Sequence, residues 1–321
     1  MRSKRCVVTG AAGFIGSHLT DRLLALGFEV IGIDNLKLGR SRHLAEARAN
    51  PRFRFLEADL NDASRCLDFL KAEHAAAPIQ TFWHLAANSD VRAGSGDNDV
   101  DLRDTFLTTY HSLKAARRLG IREFAFASSS AIYGNHPAVL TEETGPLRPI
   151  SNYGAMKLAS EGIITAGLEA FLERAWVFRF PNVVGGRATH GVIHDFLHKL
   201  RQTPPQLDVL GDGNQEKPYL HVAELVAAML FIVEHSRERF NCHNIGPDGT
   251  ATTVRYIAEA VVNAASPGAR IVFGNERQGW PGDVPRFNYS IARLRSLGWA
   301  PRLTSDQAVE QAIPEVMRDL A

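Results

Sequence analysis

Apolar and polar positions along the first half of the chain follow two rhythms. Short apolar runs fall at residues 6–9, 29–33, 52–57, 81–85, 123–127 and 175–180. Longer stretches with helical spacing lie between them, at 14–26, about 99–119 and 152–172. Strands that alternate with helices of this length pair in parallel through right-handed crossovers. The pattern predicts an α/β fold, a Rossmann-type doubly wound parallel sheet. After Pro181 the texture changes: Gly185-Gly186, Thr203-Pro204-Pro205 and Gly211 to Asn214 punctuate shorter elements. Glycine and proline clusters of this kind mark turns. A boundary near residue 180 is expected, with residues 1–180 as the cofactor domain and 181–321 as a smaller mixed α/β substrate domain.

Charge and composition narrow the functions available. The 36 basic and 35 acidic side chains leave a formal net charge of +1, so there is no basic excess to neutralise a phosphate backbone, and nucleic acid is excluded as a partner. No apolar run reaches the ~18–20 residues needed to cross a bilayer, so no membrane association is expected. The basic start, Met1 to Arg5, leads into the first strand without a cleavage site, which predicts a cytoplasmic protein. Cys6, Cys66 and Cys242 have neither disulfide nor metal-ligand spacing and read as buried thiols. His190 and His194, with Asp195, sit four apart, but surface or substrate-facing roles outweigh a metal there. No metal is predicted.

The first candidate for chemistry is the glycine turn from Thr9 to Gly16, between the first strand and first helix. Gly10 permits the tight turn, Gly13 lets the backbone approach a pyrophosphate, and Gly16 lets helix and strand pack closely. The helix N-terminus adds free N–H groups and a partial positive charge. Glycines alone would also suit any tight turn. Asp34, at the end of the second strand, sharpens the reading: a carboxylate there accepts both ribose hydroxyls and repels a 2′-phosphate, which favours NAD over NADP. Arg40 and Arg42 follow in the loop. Asp59, after the third strand, either reaches the adenine or serves as a helix N-terminal charge.

The second candidate is Ser128-Ser129-Ser130, at the carboxyl end of the strand 123–127, together with Tyr153 and Lys157. Residues i and i+4 share a helix face, so the phenol and the ammonium point into one site. A positive charge ~4 Å away at an effective dielectric of ~20 is worth roughly 4 kcal/mol. That is enough to bring a tyrosine with a pKa of ~10 near neutrality as a general base. Tyr-x-x-x-Lys is frequent by chance; the glycine turn, the carboxylate and the serine cluster give it meaning.

With these motifs in place, the chain resembles the extended short-chain dehydrogenase/reductase family, in its nucleotide-sugar epimerase branch. The likeness rests on TGAAGFIG at 9–16, IDN at 33–35, HLAA at 84–87, SSSAIYG at 128–134, YGAMK at 153–157, FRFPNVVG at 178–185, LGDGNQEKPYLHV at 210–222 and GWPGDVP at 279–285. It implies Ser129, Tyr153 and Lys157 as the catalytic set. It implies NAD contacts from Gly10, Gly13, Phe14, Ile15, Gly16, Asp34, Asn35, Asp59, Leu60, Leu85, Ala86 and Ala87, and from Tyr153 and Lys157 themselves. Ser129, Ser130, Asn182, Lys217, Tyr219 and Arg277 would meet the substrate, a nucleotide-diphosphate sugar. Some positions depart from the family pattern. Lys217 stands where relatives carry arginine and loses the bidentate fork. Trp280 falls where the usual arginine register would be, Thr105 replaces a common asparagine, and Ser89 replaces a lysine.

Ser130 and Ala131 occupy positions where related dehydratases and decarboxylases carry acids. Neither side chain protonates a leaving hydroxyl, so epimerisation at C4 through a transient 4-keto sugar is expected. The alternatives are a 4-reductase or dehydrogenase on a similar substrate, and an NAD-binding regulatory protein without turnover. The helices near 99–119 and 152–172 correspond to those through which relatives dimerise, and a homodimer is implied.

Overall fold

The computed structural model describes residues 4–136, 139–203, 205–249, 251–276, 284, 286 and 288–321. The first strand, β1 (Arg5–Thr9), is buried at every position. A strand covered on both faces has no polar face to alternate with, so it reads as a continuous apolar run. β2 (Glu29–Asp34), β3 (Phe53–Glu57), β4 (Thr81–His84), β5 (Glu123–Ala127) and β6 (Arg174–Arg179) complete the strands foreseen from the sequence. With Phe240–Asn244 they form one seven-stranded sheet, in the order Phe240–Asn244, β6, β5, β4, β1, β2, β3. Pairing is parallel, from Arg5 beside Glu29 through Thr9 beside Ile33 on one flank of β1, and from Cys6 beside Thr81 through Thr9 beside His84 on the other. Strand order reverses at β1, and ligands of open α/β sheets bind at the carboxyl edge of such a reversal. The turn after β1, Asp34 and the serines after β5 all lie at carboxyl ends.

Four helical stretches cover this sheet: α1 (Phe14–Ala25), α2 (Ala63–Ala76), α3 (successive segments Asn98–Asp101, Leu102–Leu107 and Thr108–Leu119) and α4 (Asn152–Ala170). Asp62 caps α2 by accepting from the Arg65 N–H, and Ser151 caps α4 by accepting from Gly154. Side-chain caps of this kind satisfy the orphan N–H groups of a first turn. The single helix expected near 99–119 is interrupted at Leu102–Leu107, which winds as a π-helix. Side chains compete there with the backbone: Thr108 Oγ1 bonds the carbonyl of Thr105 at 3.0 Å, and so does Thr109 Oγ1, also at 3.0 Å. Such back-bonding loosens the regular ladder, and π-turns of this kind recur at functional sites.

The chain divides into two compact units that interleave in sequence. The first comprises 1–129, 151–179 and 232–243, and the second 130–150, 180–231 and 244–321. The sequence reading cuts once, near 180. The difference has a structural reason: Phe240–Asn244 returns to lie beside β6, covering what would be an open sheet edge. The first unit's core gathers Val7, Ile31, Phe82, Phe124, Ile164 and Val177. The second unit's core gathers Ile193, Phe196, Leu207, Val261, Val309 and Ile313. Its strands are short and paired two by two: Asn182–Val184 with Tyr219–His221, Glu216–Lys217 with Thr252–Thr253, and Gln206–Val209 with Arg270–Phe273. Among the described residues, no helix is long and apolar enough to cross a membrane.

Candidate active site

The glycine turn is built by contacts that side chains would destroy. Gly10 has φ +70°, a conformation costly for L residues with a Cβ. A Cβ on Gly10 would lie 2.9 Å from the Ala86 nitrogen, and one on Gly16 would overlap the Gly10 carbonyl oxygen. The Gly13 N–H closes the turn on the Gly10 carbonyl at 3.0 Å. α1 then begins at Phe14 and Ile15 with no side-chain cap, so its first N–H groups remain available to an anion.

Asp34 faces this turn. Its Oδ2 accepts from the Ala12 N–H at 2.9 Å and its Oδ1 from Leu36 at 2.8 Å. The carboxylate keeps acceptor capacity for a ribose hydroxyl. Burial raises its carboxyl above the ordinary range, against the N–H groups of Leu36, Ala12 and Gly13, which favour the charge. Asn35 donates to Asp59 Oδ2 at 2.9 Å, and Asn61 to Asp59 Oδ1 at 2.9 Å. Asp59 is thus tied into the loop after β2, while the capping of α2 falls to Asp62. Leu60 is buried, and Leu85, Ala86 and Ala87 continue from β4, with the Leu85 N–H on the Thr9 carbonyl at 3.2 Å. A cradle that glycine alone fits, a free helix start and a ribose-side carboxylate match a dinucleotide.

α4 carries Tyr153 and Lys157. Lys157 is 2% exposed; its Nζ donates to the Ala127 carbonyl at 2.7 Å, at the end of β5. The same ammonium lies 4.7 Å over the Phe126 ring and 5.7 Å from the centre of the Tyr153 ring. Tyr153 is hydrogen-bonded to Ser129. The first unit therefore brings Ser129, Tyr153 and Lys157 into one cluster.

The electrostatics correct the expectation from spacing. Burial pushes the Tyr153 phenol up to about 12, Ser129's hydrogen bond opposes this, and Asp101 adds to it. Burial also lowers Lys157 to about 7, against the pull of Asp101 and Glu161. The assumed geometry put a full ammonium ~4 Å from the phenol. The observed ammonium is desolvated and spent on a carbonyl and a ring face. Without ligands, the protein holds a neutral phenol.

Beneath this cluster, Ser128 joins two residues that the motif reading did not single out, Glu161 and Arg179. Ser128 Oγ donates to Glu161 Oε1 at 2.5 Å, and Arg179 donates to Glu161 through Nε at 3.1 Å and Nη2 at 2.7 Å. All three are buried. Glu161 stands one further turn beyond Lys157, so the spacing Tyr153, Lys157, Glu161 was available as a signal. His84 is also fully buried, bonded to Thr9 Oγ1 at 2.7 Å and Thr109 Oγ1 at 3.0 Å. Burial lowers its pKa and keeps the ring neutral.

Of the candidate substrate residues, Ser129 belongs to the first unit, and Ser130, Asn182, Lys217 and Tyr219 to the second. Ser130 opens a short 3-10 turn, its N–H on the Phe180 carbonyl at 3.0 Å. Asn182 is exposed at the start of its strand. Lys217 and Tyr219 are buried, and the Tyr219 N–H donates to Ser305 Oγ at 3.1 Å. Arg277 and Trp280 lie outside the described residues. His194 stacks on His198 at 6.3 Å. Among the described residues, no group of three or more His, Cys, Asp or Glu is placed to hold a metal. The three cysteines are free and buried.

A doubly wound sheet with a glycine turn, a carboxylate on the second strand and a Ser–Tyr–Lys cluster at the fifth defines an extended short-chain dehydrogenase/reductase. A model of the NAD-dependent epimerase/dehydratase family matches residues 6–246. The UDP-glucose 4-epimerase of Mycolicibacterium smegmatis is 32% identical over 320 residues, covering 96% of this chain and 97% of its own. A crystal structure of UDP-galactose 4-epimerase superposes with a TM-score of 0.85 at 36% identity, covering 99% of this chain and 100% of the other. The Thermus thermophilus UDP-glucose 4-epimerase, solved with NAD, superposes at 0.82 with 28% identity, covering 97% and 98%. The chain belongs to the NAD-dependent epimerase/dehydratase family, and its cofactor is NAD.

Proposed function

We propose that this enzyme inverts C4 of a nucleotide-diphosphate sugar through a transient 4-keto sugar. The observation that carries the reading is the Ser129–Tyr153 hydrogen bond, one helical turn from a buried Lys157 anchored on Ala127. When bound, NAD⁺ supplies the hydride acceptor and, once reduced, the donor. Tyr153 takes the proton of the sugar's 4-hydroxyl and returns it after the ring has turned. Ser129 holds the reacting oxygen through its hydroxyl. Lys157 supplies the local positive charge that favours phenolate over phenol. The phenol, at about 12 in the ligand-free protein, must be brought down in the loaded site for Tyr153 to act as the base.

On this reading the first unit binds NAD through Gly10, Gly13, Phe14, Ile15, Gly16, Asp34, Asn35, Asp59, Leu60 and Leu85–Ala87. The second unit binds the nucleotide sugar through Ser130, Asn182, Lys217 and Tyr219. Relatives named for UDP-glucose and UDP-galactose make these sugars the first pair to test. Homodimerisation is supported by apolar exposure on the two helices expected to mediate it: Leu102 (43%) and Tyr110 (46%) on α3, and Gly162, where a Cβ would meet nothing within 4 Å, on α4. Cytoplasmic residence accords with the reduced cysteines.

NMR of UDP-glucose and UDP-galactose mixtures would show mass-neutral conversion without stoichiometric change in NADH absorbance. Consumption of external NAD(H) in proportion to product would instead make the enzyme a reductase or dehydrogenase. Tyr153→Phe is expected to lower kcat by about 10³-fold or more with little change in KM; normal turnover by that variant would refute the mechanism.

A further inference from the structure

Three consecutive residues at the carboxyl end of β5 are each tied to a different turn of α4. The Ala127 carbonyl accepts from Lys157 Nζ at 2.7 Å. Ser128 Oγ donates to Glu161 Oε1 at 2.5 Å. Ser129 is hydrogen-bonded to Tyr153. Tyr153, Lys157 and Glu161 recur every four residues, so they fall on one helix face. Glu161 also reaches the next strand. Arg179, the last residue of β6, donates to its Oε1 through Nε at 3.1 Å and to its Oε2 through Nη2 at 2.7 Å. β6 is itself registered on β5 there, because the Ser128 N–H donates to the Phe178 carbonyl at 2.8 Å. One carboxylate therefore joins the helix that carries Tyr153 to two neighbouring strands.

Stability alone does not explain this joint. The Arg179 and Glu161 side chains are 8% and 7% exposed. An ion pair taken so far out of water gains little beyond its desolvation cost, and apolar residues of similar volume often do as well. What the pair adds is direction. Apolar burial is non-directional, whereas an arginine fork on a carboxylate fixes orientation as well as distance. Ser128 supplies a further bond from the strand end itself, and it is wholly buried. Proton transfer needs that kind of precision: the base must lie within ~2.6–3.2 Å of the oxygen it serves, and a misplacement of ~1 Å costs about 100-fold.

We propose that Glu161 is a positioning residue for the reaction: by gripping Ser128 and Arg179 it fixes α4 on the ends of β5 and β6, so that the Tyr153 hydroxyl meets Ser129 and the sugar oxygen at reacting distance. The proposal rests on the general-base reading of Tyr153. Glu161 acts through Ser128, the chain neighbour of Ser129, and through the helix it shares with Tyr153. The adjacent serines then divide the work: Ser128 holds the frame and Ser129 holds the reacting oxygen.

The test is Ser128→Ala, which removes the bond to β5 while both Glu161 oxygens keep Arg179, so no buried charge is left unmatched. With NAD bound, kcat for interconversion of UDP-glucose and UDP-galactose should fall about tenfold, with KM and bound NAD per chain unchanged. Ser128→Thr restores the hydroxyl and should return kcat to within about threefold of the parent. Glu161→Asp keeps the charge on Arg179 but draws the carboxylate back from Ser128; it should lower kcat in the same way and serves if Ser128→Thr does not fold. Without substrate, NMR of ring-labelled tyrosine, assigned with Tyr153→Phe, should show the Tyr153 resonance displaced in Ser128→Ala. A lowered urea midpoint with kcat and the Tyr153 resonance as in the parent would mean a structural bond only and would overturn the proposal. So would a fall in kcat matched by lost NAD or a raised KM. Normal turnover by Tyr153→Phe sinks the general-base reading; full activity of Ser128→Ala beside an inactive Tyr153→Phe sinks the positioning role alone.

Discussion

The two units carry their candidate site residues on different scaffolds. In the first, Asp101, Ser128, Lys157, Glu161 and Arg179 are all buried, and each is bound to a named partner. They hang from a seven-stranded sheet and long helices. In the second, Asn182 stands exposed on a strand of three residues, and Lys217, though buried, sits on one of only two. On the proposed mechanism, the contrast fits a division of labour between proton and hydride transfer, which needs fixed geometry, and a sugar that must present both faces of one ring. A buried network rigidifies what it encloses; short paired ladders constrain much less.

Four measurements probe this contrast, beginning with the largest effect. Glu161→Gln leaves Arg179 as an unmatched buried charge and should cost about 3–5 kcal/mol in urea unfolding; a cost below about 1 kcal/mol would mean that the first unit's network is not its anchor. Next is Lys157→Met. Lysine in the unfolded chain takes its proton below 10.5 but in the fold only below about 7. Between these values the unfolded state binds the extra proton, so Lys157 makes stability rise as pH rises from 7 toward 10.5. That rise is on the order of 4 kcal/mol. Thermal melts of parent and Lys157→Met across this window should show it in the parent and not in the variant. In the second unit, Lys217→Met should raise KM about tenfold while kcat holds, as for uniform binding, read from initial rates on UDP-galactose. Smallest is Thr304→Ala. Thr304 and Gln307 form a capping box on Ser305–Leu320, and its loss should cost about 1 kcal/mol by urea titration.

Much of the first unit was legible because its rules are local. Apolar runs bounded by turns located β1 to β6 within a residue or so, and glycine spacing located the tight turn after β1. Asp34 and the Tyr153–Lys157 pair followed from position on strand and helix. The strand Phe240–Asn244 was not legible: its residues, Phe-Asn-Cys-His-Asn, mix polar and apolar, and only the tertiary edge beside β6 makes them a strand. The phenol's direction of shift was misread because spacing reports which groups share a face but not how deeply they are buried. Glu161, Arg179 and Asp101 were missed for a related reason. Their partners come from other elements, 18 residues away for the ion pair and 13 for Asn88.

The π-turn at Leu102–Leu107 has a geometric consequence. Lodging one extra residue in a helix rotates everything before it by about 100° relative to everything after it. The wide turn thus sets the phase between Asp101 before it, held on Asn88, and Thr109 eight residues on, held on His84. Length in this segment is therefore more tightly constrained than composition. Excising a single residue such as Phe106 would straighten the winding and swing the acid out of line, whereas exchanging the same residue for another of its bulk would leave the phase intact.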